Sequence, residues 1–340
     1  MTKLLDKIKK AELRGKGGAS YPVYLKWEKV AKARSRKKFV ICNASEGEPD
    51  VMKDEYIIEH HPEKLIEGMK LCMKEVSSDK AFLFINQDYY KKYSKRLKGL
   101  IRDDNIELFK KPHPAGYIAG EESSLINTIA GERAEPELKP PFPSTKGLYG
   151  APTIVNNVET FYDVSLLNSN QFNNTRLYSI TGDCVWSGVY EFADDETIED
   201  ILKNTNNYPS FEFFVQIGGG ACGEVLNSDQ LNRPVTGSGS ITIYSKSKHK
   251  PVSVLKNWID FFMNESCGKC TPCREGTYRL HEILKDKQPD WYMFFAILAD
   301  LPETSFCALG KSVSIPVISY FQNVLKDDTK FSSIYNINKQ

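Results

Sequence analysis

Phe39-Val40-Ile41-Cys42 and Ala81-Phe82-Leu83-Phe84-Ile85 are two short, almost wholly apolar runs. Between them Pro62 to Val76 carries Leu65, Ile66, Met69 and Met73 at helical spacing. Unbroken apolar runs of this length read as strands covered on both faces, and proline suits a first helical turn. Strand, helix and strand in succession predict a parallel α/β sheet, whose ligand crevice lies at the carboxyl ends of its strands.

Further along, the texture changes twice. From about 170 to 247, Arg176 to Thr181 and Gly188 to Ala193 read as a hairpin. A short helix bearing Ile198, Ile201 and Leu202 follows, capped by Asp194-Asp195, and Phe211 to Ile217 and Ile241 to Tyr244 add strands. Strands around one short helix predict a small β-grasp-like α+β domain. From Pro251 the pattern is helical, over Val252 to Met263, Arg274 to Leu284, Trp291 to Leu301 and Val313 to Leu325. The expected domains are therefore 1–165, α/β; 170–247, β-grasp; and 250–330, a helical bundle. The tail after Asp327 is expected to fray.

Bulk composition narrows the function. The chain has 340 residues, more than one ordinary domain. Its 45 Lys and Arg nearly cancel 44 Asp and Glu, which argues against a nucleic-acid binder held by phosphate neutralisation. No apolar run is long enough to span a bilayer, and Met1 to Lys10 is basic without an apolar segment, so it is not read as an export signal. A cytoplasmic protein is expected, with a place at the periphery of a membrane complex left open.

Eight cysteines carry the strongest chemical signal. Cys267-Gly268-Lys269-Cys270-Thr271-Pro272-Cys273 puts three thiols at two-residue gaps, and Cys307 returns in Ser305-Phe306-Cys307-Ala308-Leu309-Gly310. Three thiolates from one knuckle and a fourth from a distant loop suit the iron corners of a [4Fe–4S] cube. Structural zinc is the rival, since four cysteines also suit tetrahedral Zn²⁺, although zinc ribbons draw their ligands as two separated pairs. A disulfide framework is disfavoured, because such a triplet would strain any pairing. Cys42, Cys72, Cys184 and Cys222 stand singly and read as buried, inert thiols. The five histidines show no ligand spacing.

Two loops of the first module invite a ligand. Leu13-Arg14-Gly15-Lys16-Gly17-Gly18-Ala19-Ser20-Tyr21-Pro22 combines three glycines with two cations, so backbone N–H groups can approach a phosphate. It is neither a Walker loop nor G-x-G-x-x-G, and a tight turn uses glycine equally. Gly116-Tyr117-Ile118-Ala119-Gly120-Glu121-Glu122 leads into a helix with Leu125, Ile126 and Ile129 inward. Its two glutamates suit a helix start on dipole grounds alone.

Taken together these stretches resemble the NADH-binding flavoprotein (F-type) subunit of respiratory complex I and its relatives in NAD-linked hydrogenases and formate dehydrogenases. The resemblance rests on Leu13 to Pro22 with Leu25-Lys26-Trp27, Cys42 to Pro49 with Lys53-Asp54, and Tyr117 to Glu122. It continues through Lys139-Pro140-Pro141-Phe142-Pro143, Asn156 to Thr160, Glu265 to Gly276 and Cys307 to Gly310. These occur in the family's order over about residues 11 to 325.

The resemblance implies a Rossmann-like FMN- and NADH-binding domain, a β-grasp domain and a helical domain holding a [4Fe–4S] cluster on Cys267, Cys270, Cys273 and Cys307. Gly15, Gly17 and Lys26 would hold FMN, with Asn43, Ser45, Glu46, Gly120, Glu121, Asn156 and Asn157 around it. Tyr21, Glu48, Tyr117, Glu122, Lys139 and Phe142 would contact the nicotinamide nucleotide. The implied activity is an NADH:acceptor oxidoreductase in which flavin takes two electrons from NAD(H) and releases them singly. It needs no catalytic acid, base or nucleophile from the protein. The implied partners are iron–sulfur electron-transfer subunits: a thioredoxin-like [2Fe–2S] subunit, a larger ferredoxin-like one, or both. Three departures stand out: Ser20 and Tyr21 where the family carries glycine and phenylalanine, Lys29 where it carries an aromatic residue, and Ser45 where it carries aspartate. Two readings that keep the fold therefore stay open: a flavin-free scaffold with a structural four-cysteine site, and an NADPH-preferring relative.

Overall fold

The structure, a computed structural model, describes residues 3–102 and 104–337. The chain divides into two units, one of residues 1–47 and 51–177, the other of residues 48–50 and 178–340.

The first unit begins with α1 (Lys3–Lys10) and α2 (Val23–Lys32), followed by β1 (Phe39–Ala44), α3 (Lys53–His60) and α4 (Pro62–Val76). Next come β2 (Lys80–Ile85), α5 (Gln87–Leu100), β3 (Ile106–Lys110), α6 (Glu122–Ile129), β4 (Thr153–Asn157) and α7 (Val158–Asn168). The four strands are parallel in the order β3-β2-β1-β4. Both apolar runs of the sequence are thus central or near-central strands. Ile41, Cys42, Leu83 and Phe84 are fully buried, as strands covered on both faces require. One face of the sheet packs against a cluster including Leu125, Ile126, Ile129 and Leu148.

From β1 the chain proceeds outward through β2 to β3, then returns to place β4 on the other side of β1. The order therefore reverses between β1 and β4, where open α/β sheets hold their ligands. Register sets Cys42 beside Asn156 and Asn43 beside Asn157 at that edge.

Helices α4 and α7 cross with Gly68 at the contact. A Cβ there would lie 1.9 Å from the Phe161 carbonyl oxygen, far inside van der Waals contact. Gly68→Ala is expected to cost about 3 kcal/mol by overpacking, read as a lower urea midpoint with unchanged slope.

The second unit holds β5 (Thr175–Gly182, from Tyr178), β6 (Gly188–Ala193), α8 (Ile198–Asn204), β7 (Phe213–Ile217), β8 (Glu224–Asn227) and β9 (Ser240–Ser245). These form a mixed five-stranded sheet in the order β6-β5-β9-β7-β8, with β5 and β9 parallel and β7 antiparallel to both β8 and β9. Ile198, Ile201 and Leu202 of α8 are buried against it. The helix is capped by Thr197, whose hydroxyl accepts from Asp200 N at 3.1 Å, not by the expected Asp194-Asp195. A side chain at the N-cap reaches the third residue of the helix, and the aspartates lie too far back to do so.

Helices α9 (Pro251–Glu265), α10 (Thr271–Lys285), α11 (Trp291–Thr304), α12 (Ala308–Ser312), α13 (Ser314–Asn323) and α14 (Thr329–Ile337) complete the unit. Of the tail expected to fray, Thr329–Ile337 is thus helical, with Phe331 buried against Trp291 and Phe321, and residues 338–340 lie outside the described ones. Among the described residues no helix is long and apolar enough to cross a membrane.

Candidate functional site

At the β1–β4 edge the glycine loop seats on the first turn of α7. Lys16 N donates to Thr160 Oγ1 at 3.0 Å, and a Cβ on Gly17 would sit 3.1 Å from that of Asn157. The loop closes on itself through Gly15 N to Tyr21 O at 2.9 Å and Arg14 Nη1 to Ser20 O at 3.0 Å. Gly18 has φ +105°, and a Cβ there would meet no heavy atom within 4 Å, so this part of the loop presents bare backbone. Ser20 keeps a left-handed φ of +51° without being glycine.

Asn157 caps α7 and is gripped from below. Its Oδ1 accepts from Glu159 N at 3.0 Å and Lys53 Nζ at 2.9 Å, while its Nδ2 donates to Asp54 Oδ2 at 2.6 Å. Lys53, only 2 % exposed, also pairs with Asp54 at 2.7 Å and Glu159 at 3.1 Å. Burial works against charge on Lys53, but Asp54, Glu159 and Glu46 outweigh it and hold its pKa above the usual lysine value. Lys53, Asp54 and Glu159 are the buried charges at this edge that sequence reading left without a role. Their signal was a Lys-Asp pair followed at a distance by Asn-Asn-Val-Glu, which by itself looks like solvated helix starts.

Adjacent Asn156 points elsewhere. In the amide orientation that satisfies both ends, its oxygen accepts from Trp27 Nε1 and its nitrogen donates to Val155 O, each at 2.9 Å. Successive strand residues face opposite sides of a sheet, so only one of the two asparagines reaches the glycine loop.

Asn43 Nδ2 donates to Gly120 O at 2.8 Å, its Oδ1 accepts from Ser45 N at 3.2 Å, and Lys111 Nζ reaches Ser45 Oγ at 3.3 Å. Glu46 caps α3, accepting from Asp54 N at 3.0 Å and Glu55 N at 3.2 Å, and takes the Tyr89 hydroxyl at 2.7 Å. Burial, reinforced by the Asp54 charge, raises its pKa to about 7 from an ordinary 4.5. A carboxyl raised on folding holds a proton that the unfolded chain releases, so its contribution to stability is full below about 4.5 and is lost as pH rises toward about 7. Glu46→Gln is expected to flatten that decline, measured as urea midpoints at pH 5 and 7.5.

Glu121 caps α6, its Oε2 accepting from Ser123 N and Ser124 N at 2.9 and 3.0 Å. Lys139 Nζ bridges Glu121 and Glu122, 2.7 Å from each, and Lys26 Nζ lies 2.9 Å from Val155 O and 4.0 Å from Glu122. Burial disfavours charge on Lys139, yet the two glutamates keep its pKa above normal; burial lowers that of Lys26. Tyr21 and Phe142 are 51 % and 49 % exposed, and the Lys29 ammonium stands 5.9 Å from the Phe142 ring centre. Tyr117 lies against Gly47. Glu48 belongs to the second unit, where its Oε1 accepts from Ala221 N at 3.0 Å and Cys222 N at 2.9 Å.

In the second unit, Cys270 caps α10, Cys273 lies in its first turn and Cys307 caps α12. Gly268, at φ +77°, turns the knuckle, and Arg274 Nη1 donates to its carbonyl at 2.7 Å. Gly310 of α12 lets Cys273 close in, since a Cβ there would lie 3.1 Å from that of Cys273. Burial raises the Cys273 thiol to about 11, and the charges of Cys270, Cys307 and Cys267 push the same way. Four thiols crowded like this need a cationic core to ionise together, which an iron–sulfur cluster supplies. Among the described residues no group of three or more His, Cys, Asp or Glu is spaced for a single metal ion. Cys42 and Cys72 are buried, whereas Cys184 and Cys222 are half-buried rather than sealed in the core.

Residues 8–166 match the family model of the Nuo51 FMN-binding domain, and residues 253–327 that of the NADH-ubiquinone oxidoreductase-F iron-sulfur binding region. The F-type NADH-quinone oxidoreductase subunit of Aquifex aeolicus is 30 % identical over 346 residues, covering 90 % of this chain and 80 % of that one. The chain belongs to the family of F-type NADH-quinone oxidoreductase subunits. Another relative, the NAD-reducing hydrogenase HoxS subunit alpha of Cupriavidus necator, is 31 % identical over 98 % of this chain, which spans 60 % of that protein. A crystal structure of an NAD⁺-reducing [NiFe]-hydrogenase in the H₂-reduced state superposes with a TM-score of 0.87 at 28 % identity, covering 97 % of this chain and 62 % of the solved one. This member of the family is accordingly an oxidoreductase with an FMN-binding domain and a [4Fe–4S] binding region. The flavin-free alternative finds no support among these relatives.

Proposed function

We propose that FMN lies over the glycine loop at the reversal point between β1 and β4, and that this chain oxidises NADH there and delivers single electrons through a [4Fe–4S] cluster to an iron–sulfur partner. The observation that carries the reading is the seating of Gly17 on Asn157 at the start of α7, which lines up bare backbone amides with a helix N-terminus, a setting suited to a phosphate. When bound, the flavin supplies the conversion between a two-electron donor and one-electron acceptors, and the protein's task is alignment.

Each side chain then has a positioning role. Asn43 and Gly120 hold the β1 end against the α6 turn, Ser45 and Lys111 close its rim, and Glu46 ties α3 to α5 through Tyr89. Glu121 and Glu122 brace Lys139, with Lys26 on the far side of Glu122, and the Lys139 ammonium suits a nucleotide phosphate. The exposed rings of Tyr21 and Phe142 offer apolar faces for a base, with Tyr117 beside the Gly47 turn. The Glu48 contacts with the Ala221 and Cys222 amides favour a role in ordering the second unit's glycine turn.

Cys267, Cys270, Cys273 and Cys307 would ligate the cluster. The mixed sheet with α8 corresponds to a β-grasp domain, and α9 to α14 to the cluster-bearing bundle. The electron acceptors would be a thioredoxin-like [2Fe–2S] subunit or a larger ferredoxin-like one, in a cytoplasmic assembly peripheral to a membrane or free of it. Protein prepared without air should bind one flavin per chain and reduce ferricyanide with NADH. Absence of both flavin and NADH-dependent reduction contradicts the proposal.

A further inference from the structure

Close to the four cysteines one polar atom is left over. Ser305 lies between α11 and α12, two residues before Cys307, and is 4 % exposed. Its backbone N–H caps α11 by donating to Leu301 O at 3.1 Å, but its Oγ is buried with no hydrogen-bond partner. A buried hydroxyl without a partner loses its hydration with nothing in return, so one held in place calls for a reason.

Its surroundings supply one. Gly310 faces both Ser305 and Cys273: a Cβ at that glycine would lie 2.5 Å from Ser305 Oγ and 3.1 Å from Cys273 Cβ. Gly310 thus keeps the hydroxyl and the Cys273 thiol on a common small face that any larger residue would fill. A hydroxyl of the knuckle already has sulfur for company, Ser266 Oγ being 3.4 Å from Cys273 Sγ. Among the described residues the Ser305 proton has no taker.

We propose that the Ser305 hydroxyl donates a hydrogen bond to a sulfur of the cluster, either an inorganic sulfide or a ligating cysteine, and thereby raises the cluster's reduction potential. The inference rests on the cluster assignment and goes beyond it by naming a residue that tunes the centre without ligating it. Reduction adds negative charge to the cluster, and an O–H dipole aimed at its sulfur stabilises that charge more than the oxidised form. No bond to iron changes, and the proton stays on Ser305.

Ser305→Ala in the cluster-loaded protein tests this. The reduced-to-oxidised equilibrium of the cluster, followed by EPR during a potentiometric titration, should shift about tenfold toward oxidised, equivalent to about 59 mV downward for one electron. An exchangeable proton coupled to the reduced cluster should vanish from deuterium-exchange pulsed EPR spectra. Ser305→Thr, which keeps the hydroxyl, should retain both signatures. Before cluster insertion, Ser305→Ala should be no less stable than the parent, because the removed hydroxyl bonded nothing. An unchanged potential with the exchangeable proton still present in Ser305→Ala overturns the proposal. If the parent protein takes up no iron at all, the cluster assignment fails instead, and the two failures are distinguished by iron and sulfide analysis.

Discussion

Lys53→Met is expected to destabilise the first unit by about 3–5 kcal/mol and to empty it of flavin. Methionine removes the ammonium but leaves Asp54 and Glu159 buried, and breaking one partner out of a buried charge cluster costs that much because the remaining charges lose their counter-ion. The loss extends past stability, because Lys53 fixes the oxygen end of the Asn157 amide while Asp54 fixes its nitrogen end. Once Asn157 is free to turn, the surface that Gly17 rests on is no longer defined. Lys53→Arg keeps the charge but must fit a planar, five-donor head where a point charge met three oxygens, so partial loss is expected. Urea unfolding and FMN titration of the two variants check this. A methionine variant with parental stability and flavin affinity would show that the buried cluster is dispensable.

The second large effect is at the cysteines. Cys273→Ala is expected to remove essentially all iron and acid-labile sulfide, and to loosen the starts of α10 and α12. Both helices begin at cysteines, Cys270 and Cys307, with no side-chain cap to replace a metal tether. A site that exists only when ligands and metal assemble contributes its binding energy to folding, so its loss is felt as local unfolding. Limited proteolysis should therefore cut near residues 266–274 and 305–312. Flavin binding, which belongs to the first unit, should survive in this variant. Iron retained at the parental level after Cys273→Ala would contradict the ligand assignment.

The contrast between these two sites explains what could be read beforehand. The cysteine knuckle is local: two-residue gaps announce a cluster or metal site whatever the tertiary packing does. Strands β1 and β2 were equally legible, because burial on both faces confines their polar residues to one near an end of each, Asn43 and Lys80. Strand β3 was missed; its Glu107 and terminal Lys110 give it the polarity of a sheet edge, which it occupies. Strand β4 ends in two asparagines, so its apolar stretch is too short to stand out, although it forms one side of the site.

The buried cluster around Lys53 was illegible for a different reason. Lysine, aspartate and glutamate at helix starts ordinarily face solvent, and only the approach of α3 to α7 turns them inward. The separate fates of Asn156 and Asn157 follow from strand alternation once β4 is known, and cannot be drawn before. The grouping of Glu48 with the second unit is likewise a tertiary fact: the amides it accepts from, Ala221 and Cys222, lie more than 170 residues away.

Tuning of the first site by pH and of the cluster by Ser305 are secondary to the pairing of the two centres in one chain. That pairing is tested most directly by anaerobic NADH titration of the cofactor-loaded protein, recording flavin absorbance together with iron and sulfide content. The account predicts one FMN and a [4Fe–4S] complement per chain, with NADH bleaching the flavin band and ferricyanide restoring it. Protein that carries iron but neither binds FMN nor responds to NADH would contradict it.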